Sequence, residues 1–278
     1  MSDQRAHQVT TDDGVTIRAT VEGHGPPVVF LQGVIGDGDH DWRAMVTHLS
    51  DRFTCHLPSM RGRGGSDAHT NLRLDRISTD YATYVESLGE AARLVGWSAG
   101  AGHGLALSAR LEAVVATAAY EPVVGMVMDE QERADLRAAL AQGHALALRD
   151  DLTGSIRAIA AHPFTPADLA AADQAGYFDA TSGYASHVVE VFHQLPTYDG
   201  PMPEDPEILG AIPTPVLVLR GSETSPVFVR SADHVLAHTR RAQLSIISGA
   251  GHAGPLTHPR SIAQELLRFF DDPQTGPG

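Results

Sequence analysis

The segment Arg93-Leu94-Val95 runs directly into Gly96-Trp97-Ser98-Ala99-Gly100, and small residues at helical spacing follow through Leu105 and Leu107 to Arg110. A strand that turns into a helix through one polar residue constrains a chain strongly. The serine must project from a sharp turn in a strained backbone conformation, and glycines two before and two after it remove side chains that would collide there. The helix begins at the serine, so its first amides face any negative charge that develops nearby. Gly-x-Ser-x-Gly alone is a common pentapeptide that also occurs in glycine-rich turns. The strand–turn–helix setting makes Ser98 a candidate nucleophile.

The rest of the chain repeats the alternation of strand and helix. Gln8-Val9-Thr10, the turn Asp12-Asp13-Gly14 and the alternating Val15, Ile17 and Ala19 read as a hairpin. Val28-Val29-Phe30-Leu31 is a continuous apolar run, the pattern of a strand buried on both faces, and it stops at Gln32-Gly33. Phe53 to Leu57 is a weaker strand that ends in the loop Pro58 to Asp67. Ile77, Tyr81, Tyr84, Val85 and Leu88 share one face of a helix expected over 75–88. Ala113 to Tyr120 reads as a strand that ends in Glu121-Pro122.

After Gly125 the pattern changes. Residues 126–208 show helical spacing and little strand character, with Thr165 placed to cap a helix over 167–175 and Pro166 at its first position. Strand behaviour resumes at Val216 to Leu219 and at Leu244 to Ile247, before a helix near 260–270 and a Pro/Gly tail. The expected architecture is an α/β fold: a mostly parallel sheet with helices on both faces and a helical insertion. Residues 1–125 and 209–278 would form the core, and 126–208 the insertion.

Charge narrows the partners. The formal net charge is −14, and all 20 basic residues are Arg. Phosphate-rich partners would be repelled, so neither nucleic acid nor an anionic membrane is expected. A small-molecule substrate is the expected partner, and oligomeric state is not legible. The single cysteine, Cys55, excludes an internal disulfide. Met1 to Thr11 is polar and no apolar run approaches the ~20 residues of a membrane span, which gives a cytoplasmic protein as the expectation.

Four signals in order carry a family resemblance: Leu31-Gln32-Gly33 after a buried strand, Arg61-Gly62-Arg63-Gly64-Gly65-Ser66-Asp67 after the next, Gly96-Trp97-Ser98-Ala99-Gly100, and Gly249-Ala250-Gly251-His252 before the final helix. Over residues 8–271 the chain resembles the α/β-hydrolase fold superfamily. The resemblance implies an eight-stranded, mostly parallel sheet with a cap at 126–208 and a serine nucleophile at Ser98. It also implies His252 as general base and an oxyanion hole made by the amides of Ala99 and Val34. No cofactor or metal is implied. The family usually has His-Gly where this chain has Gln32-Gly33, and glutamine too can donate and accept hydrogen bonds.

The acid is the open position. The family usually carries an Asp after the strand that follows the cap, but that loop here is Arg220-Gly221-Ser222-Glu223-Thr224-Ser225-Pro226. Some hydrolases of this fold, including certain haloalkane dehalogenases, place the acid after the strand that precedes the cap, where this chain has Glu121. A carboxylate ending a buried strand is costly without a partner, and an imidazolium would supply one. Glu121 is preferred, with Glu223 as the alternative.

Trp97, Gln32 and Met126 are candidates for the substrate pocket. Tyr177, Phe178, Tyr184 and Phe192 would form either a roof over the site or a core of the insertion. Asp37, Asp39, His40 and Asp41 read as a polar loop and helix cap rather than a metal site, and Arg61 and Arg63 as braces of their loop. The resemblance implies hydrolysis of an ester, lactone or thioester through an acyl-enzyme. The alternatives are another cofactor-free reaction on the same scaffold (a C–C hydrolase, a perhydrolase, or a cyclase or release enzyme) and a non-catalytic ligand-binding member.

Overall fold

The computed structural model describes residues 4–272, so the Pro/Gly tail lies outside the described residues. Eight strands form one sheet: β1 (Arg5–Thr10), β2 (Thr16–Glu22), β3 (Pro27–Leu31), β4 (Thr54–Pro58), β5 (Ala92–Trp97), β6 (Val114–Tyr120), β7 (Val216–Gly221) and β8 (Ala242–Ile247). Their spatial order is β1-β2-β4-β3-β5-β6-β7-β8. β1 and β2 pair antiparallel, β2 meets β4 antiparallel, and every later pairing is parallel. The hairpin turn expected at Asp12-Asp13-Gly14 is closed by the Gly14 amide donating to the Thr11 carbonyl at 3.0 Å.

Helices α1 (Gly38–Val46), α2 (Leu74–Glu86) and α3 (Ala99–Ser108) lie between the first six strands. Between β6 and β7 come α4 (Glu130–Ala147), α5 (Leu152–Ala160), α6 (Pro166–Gln174), α7 (Tyr177–Thr181), α8 (Ala185–Gln194) and α9 (Pro206–Gly210). The chain then forms α10 (Pro226–His238), α11 (Gly254–Thr257) and α12 (Pro259–Asp271).

Period-two alternation explains how both faces are covered. Along β3, Val28 and Phe30 pack with Trp42 and Met45 of α1 and Leu266 of α12. Val29 and Leu31 point the other way, toward Ile77, Tyr81 and Val85 of α2. A strand buried on both faces has to be apolar throughout, which is why β3 reads as an unbroken hydrophobic run.

The helical segment is continuous with this core. One buried cluster runs from Phe30, Trp42 and Trp97 to Phe164, Phe178 and Val188. The Thr165 cap forms as the sequence indicates, and Asp168 completes a reciprocal capping box. The expected boundary between 208 and 209 falls inside α9, a short helix that packs on α3 and α10 of the core.

Candidate active site

Parallel strands bring their carboxyl ends to one edge of the sheet, where open α/β sheets bind their ligands. Ser98 follows β5, Glu121 follows β6, Glu223 follows β7, His252 follows β8, and Val34 follows β3. Residues distant in sequence are therefore brought to the same edge of the sheet.

Ser98 sits between β5 and α3 with φ 57° and ψ −117°, a conformation that non-glycine residues rarely adopt. Its neighbours explain the flanking glycines. A Cβ on Gly96 would lie 2.4 Å from the Gly100 carbonyl oxygen, and one on Gly100 would lie 2.3 Å from that of Leu31. Neither position accommodates a side chain while the turn stays this tight. Ala99, the first residue of α3, has no intrahelical acceptor for its amide. Ala99 and Val34 both line the cavity that Ser98 enters.

His252 is buried, and its Nδ1 lies 2.8 Å from Oε2 of Glu121. Glu121 is wholly inaccessible and takes two further donors. The Gly221 amide donates to Oε1 at 2.8 Å, and the Thr224 hydroxyl donates to Oε2 at 2.9 Å. A buried carboxylate costs several kcal/mol unless such donors surround it. Glu121 also has positive φ, 43°, and its amide donates to the Leu219 carbonyl at 2.8 Å. The imidazole is fixed from other sides as well. Phe228 stacks on it with ring centroids 4.0 Å apart, and the Trp97 indole donates to the His252 carbonyl at 2.8 Å. With Nδ1–H donated to a carboxylate, Nε2 is the nitrogen left to accept a proton. Ser98 and His252 line one small cavity together.

The other acid candidate stands apart. Glu223 is exposed, and its Oε1 accepts a hydrogen bond from the neighbouring Ser222 hydroxyl. The structure brings His252 together with Glu121 and not with Glu223.

Two of the pocket candidates require correction, and a third plays a different part. Gln32 lines neither cavity. Its side chain donates to the Gly36 carbonyl at 2.6 Å and accepts from the Met60 amide at 2.7 Å, so both ends of the amide are spent on loop backbone. Met126 is 48% exposed. It sits in a single 3₁₀ turn, where successive side chains diverge by a third of a turn, and its neighbours Gly125 and Met128 line the cavity instead. Trp97 borders only the small cavity beneath Ser98 and His252.

The main cavity holds about 200 Å³ and is lined mostly by apolar side chains from both core and helical segment. Ile77 and Phe228 come from the core, Leu136, Ile159, Val191 and Phe192 from the segment. Of the four aromatics singled out, Phe192 lines this cavity, Tyr177 and Phe178 are buried in the shared core, and Tyr184 donates to Asp37 at 2.6 Å. Among the described residues, no group of three His, Cys, Asp or Glu side chains is placed to hold a metal ion.

Sequence reasoning missed Asp41. It is not a solvated helix residue but is buried, accepting the Gly33 amide on Oδ2 at 2.7 Å and the Tyr177 hydroxyl on Oδ1 at 2.8 Å. Burial pushes its carboxyl up to about 7. The loop after β3, which carries Val34, is thus pinned by Asp41, by Gln32, and by Arg63, which donates to the Gly36 carbonyl at 2.8 Å. Arg61 pairs with Asp80 and Asp13, and it braces its loop. The clue to Asp41 was its neighbour Trp42: a carboxylate next to a core tryptophan on a one-sided helix often lies near the core boundary.

The model of the alpha/beta hydrolase family matches residues 28–265. A curated relative, 2-hydroxy-6-oxo-6-(2'-aminophenyl)hexa-2,4-dienoic acid hydrolase from Metapseudomonas resinovorans, is 24% identical over 263 residues, 92% of this chain and 88% of its own. Among solved structures, 2-hydroxy-6-oxo-6-phenylhexa-2,4-dienoate hydrolase from a Rhodococcus strain superposes with a TM-score of 0.75 at 19% identity, covering 97% of this chain and 99% of that one. A thermophilic esterase from Thermogutta terrifontis superposes with a TM-score of 0.75 at 18% identity, covering 96% and 98%.

Proposed function

The chain belongs to the alpha/beta hydrolase family and is a hydrolase, and from that premise we propose that it cleaves a neutral small-molecule ester, lactone or thioester through an acyl-enzyme on Ser98. The observation that carries this reading is the 2.8 Å contact between buried His252 Nδ1 and buried Glu121 Oε2, in a pair whose imidazole shares a cavity with Ser98.

Ser98 Oγ attacks the acyl carbon as His252 Nε2 takes its proton. Glu121 holds the imidazole in the required tautomer and stabilises the imidazolium. The oxygen that becomes negative is received by the amide of Ala99, at the start of α3, and by that of Val34, in the loop after β3. His252 gives its proton to the leaving group. Water, deprotonated by the same nitrogen, then releases the acid and restores the serine. The helical segment between β6 and β7 supplies one wall of the cavity and so acts as the cap that selects the substrate.

Carbon–carbon hydrolysis is the second reading, favoured by the names of the relatives from Metapseudomonas and Rhodococcus. Both are named for dienoic acids. An acid entering this cavity would meet Glu204, and no Arg lines either cavity. An ionised carboxylate moved into an apolar pocket without a cation is strongly disfavoured, so a neutral substrate fits better.

The test is turnover of p-nitrophenyl butyrate together with labelling by a fluorophosphonate. The wild type should turn over the ester and carry one phosphonyl group on the peptide containing Ser98. Ser98→Ala should lose a factor of about 10⁴ or more in kcat and take no label. An unlabelled Ser98, or turnover that survives Ser98→Ala, would remove the serine mechanism.

A further inference from the structure

Four polar side chains line the main cavity: Ser98, His103, His162 and Glu204. Two of them are engaged by protein. His103 Nδ1 lies 2.7 Å from the Ser78 hydroxyl, and His162 Nε2 lies 3.3 Å from the Glu132 carbonyl. Ser98 is accounted for by the proposed chemistry. Glu204 is the remainder.

Glu204 is only 7% exposed, yet it makes no ion pair among the described residues. Its Oε1 accepts the Gly125 amide at 3.0 Å, and no neighbouring residue donates to Oε2. Burial raises its pKa, opposed by the Glu204 and Gly125 amides and by His234 nearby. A half-satisfied carboxyl in an apolar wall costs stability, and a ligand that donates to it recovers that cost.

The segment that carries Glu204 is placed relative to Ser98 by α3. The adjacent Pro203 packs 3.5 Å from where a Cβ on Gly102 would stand, and Gly102 is one helical turn, about 6 Å, beyond Ser98. A substrate with its carbonyl at Ser98 and its chain in this cavity therefore brings that chain past Glu204.

We infer that Glu204 is a specificity residue, and that the substrate carries a hydroxyl about one helical turn from its scissile carbonyl, where that hydroxyl donates to Glu204 Oε2. An ammonium group suits the site less well, because the surrounding apolar walls would desolvate it. A hydroxyl can donate to the carboxylate and can also accept from the protonated acid. This inference rests on the serine-hydrolase reading and names the substrate class for the same site.

The experiment compares esters that differ only in the donor. On the acyl side these are p-nitrophenyl 6-hydroxyhexanoate and 6-methoxyhexanoate. On the alcohol side they are the monoacetate of butane-1,4-diol and its methyl ether. The wild type should prefer the hydroxyl member of at least one pair by about tenfold or more in kcat/KM. That ratio should fall to near one in Glu204→Leu and persist in part in Glu204→Gln, which keeps an acceptor oxygen.

Turnover of all four esters with no preference, or a preference unchanged in Glu204→Leu, overturns the inference and leaves the serine mechanism standing. No turnover of any ester instead counts against the mechanism. The specificity is then read from binding of the same pairs to Ser98→Ala, where equal affinity within each pair overturns it.

Discussion

The strand ends and the helical segment contribute to the site in different ways. At the strand ends, each group is held by backbone: Ser98 by a turn too tight for side chains at Gly96 and Gly100, Glu121 by the Gly221 amide, Val34 by a loop tied to Asp41. In the helical segment the cavity wall is made of side-chain surface, with Leu136 presented from α4 and Val191 and Phe192 from α8. Backbone-fixed groups tolerate almost no substitution, whereas an apolar wall accepts others of similar volume. The chemistry should therefore be brittle and the specificity plastic.

The sharpest test of that contrast is the acid. Glu121→Gln removes the charge that supports an imidazolium and puts an amide donor or acceptor where the Gly221 amide, the Thr224 hydroxyl and His252 all donate. Ester turnover at pH 7 should fall by about 10³-fold or more. Glu223→Gln, on an exposed loop, should change it less than about twofold. Comparable losses from the two variants would mean that Glu223 reaches the imidazole in solution and that the loop after β7 is not held as found here.

The same contrast explains what the sequence revealed. The placement of Ser98 and His252 at strand ends was legible because their surroundings constrain residue type: glycines at fixed offsets, a strand before, a helix after. The fold was legible from β3, whose unbroken apolar run requires two covered faces. Glu121 was legible only as one of two carboxylates, since a loop's path over 100 residues of intervening chain cannot be read from spacing. Met126 was misplaced because a single 3₁₀ turn shifts which neighbour faces the cavity. Asp41 was missed because a carboxylate in the first turn of a helix ordinarily faces water, and one of the donors that make its burial tolerable, the Tyr177 hydroxyl, lies more than a hundred residues away.

Asp41 joins the two regions, and its titration measures the joint. Its carboxyl is raised from 3.8 to about 7 by burial, with Asp37 adding to the rise and the Tyr177 hydroxyl, the Gly33 amide and Arg63 opposing it. The folded protein therefore holds this proton where the unfolded chain has lost it. Its contribution to stability is fully present below about pH 4 and is lost as pH rises to about 7. Asp41→Asn mimics the protonated acid and should lack that slope. Urea unfolding of the two proteins from pH 4 to pH 8 should diverge by a few kcal/mol, up to about 4. The variant gains relative to the wild type toward high pH. Burial depresses the pKa of His56 and His103 to about 4 and that of His187 to about 3, which weakens both proteins toward acid and cancels in the comparison. Parallel curves would show that Asp41 ionises freely in the folded state.

Tyr177→Phe probes the same joint more gently, from the side of the helical segment. It deletes the hydroxyl that donates to Asp41 Oδ1 and leaves the ring in the cluster shared with Phe164 and Phe178. Loss of one buried hydrogen bond should cost about 1–2 kcal/mol in urea unfolding. The Gly33 amide still has Asp41 Oδ2, so the loop that carries Val34 keeps its anchor. Ester kcat should then fall less than about fivefold, far less than for Glu121→Gln. A kcat loss approaching that of Glu121→Gln would mean that the helical segment positions the loop of Val34 directly. The division between a backbone-fixed centre and a side-chain wall would then fail at a contact that crosses it.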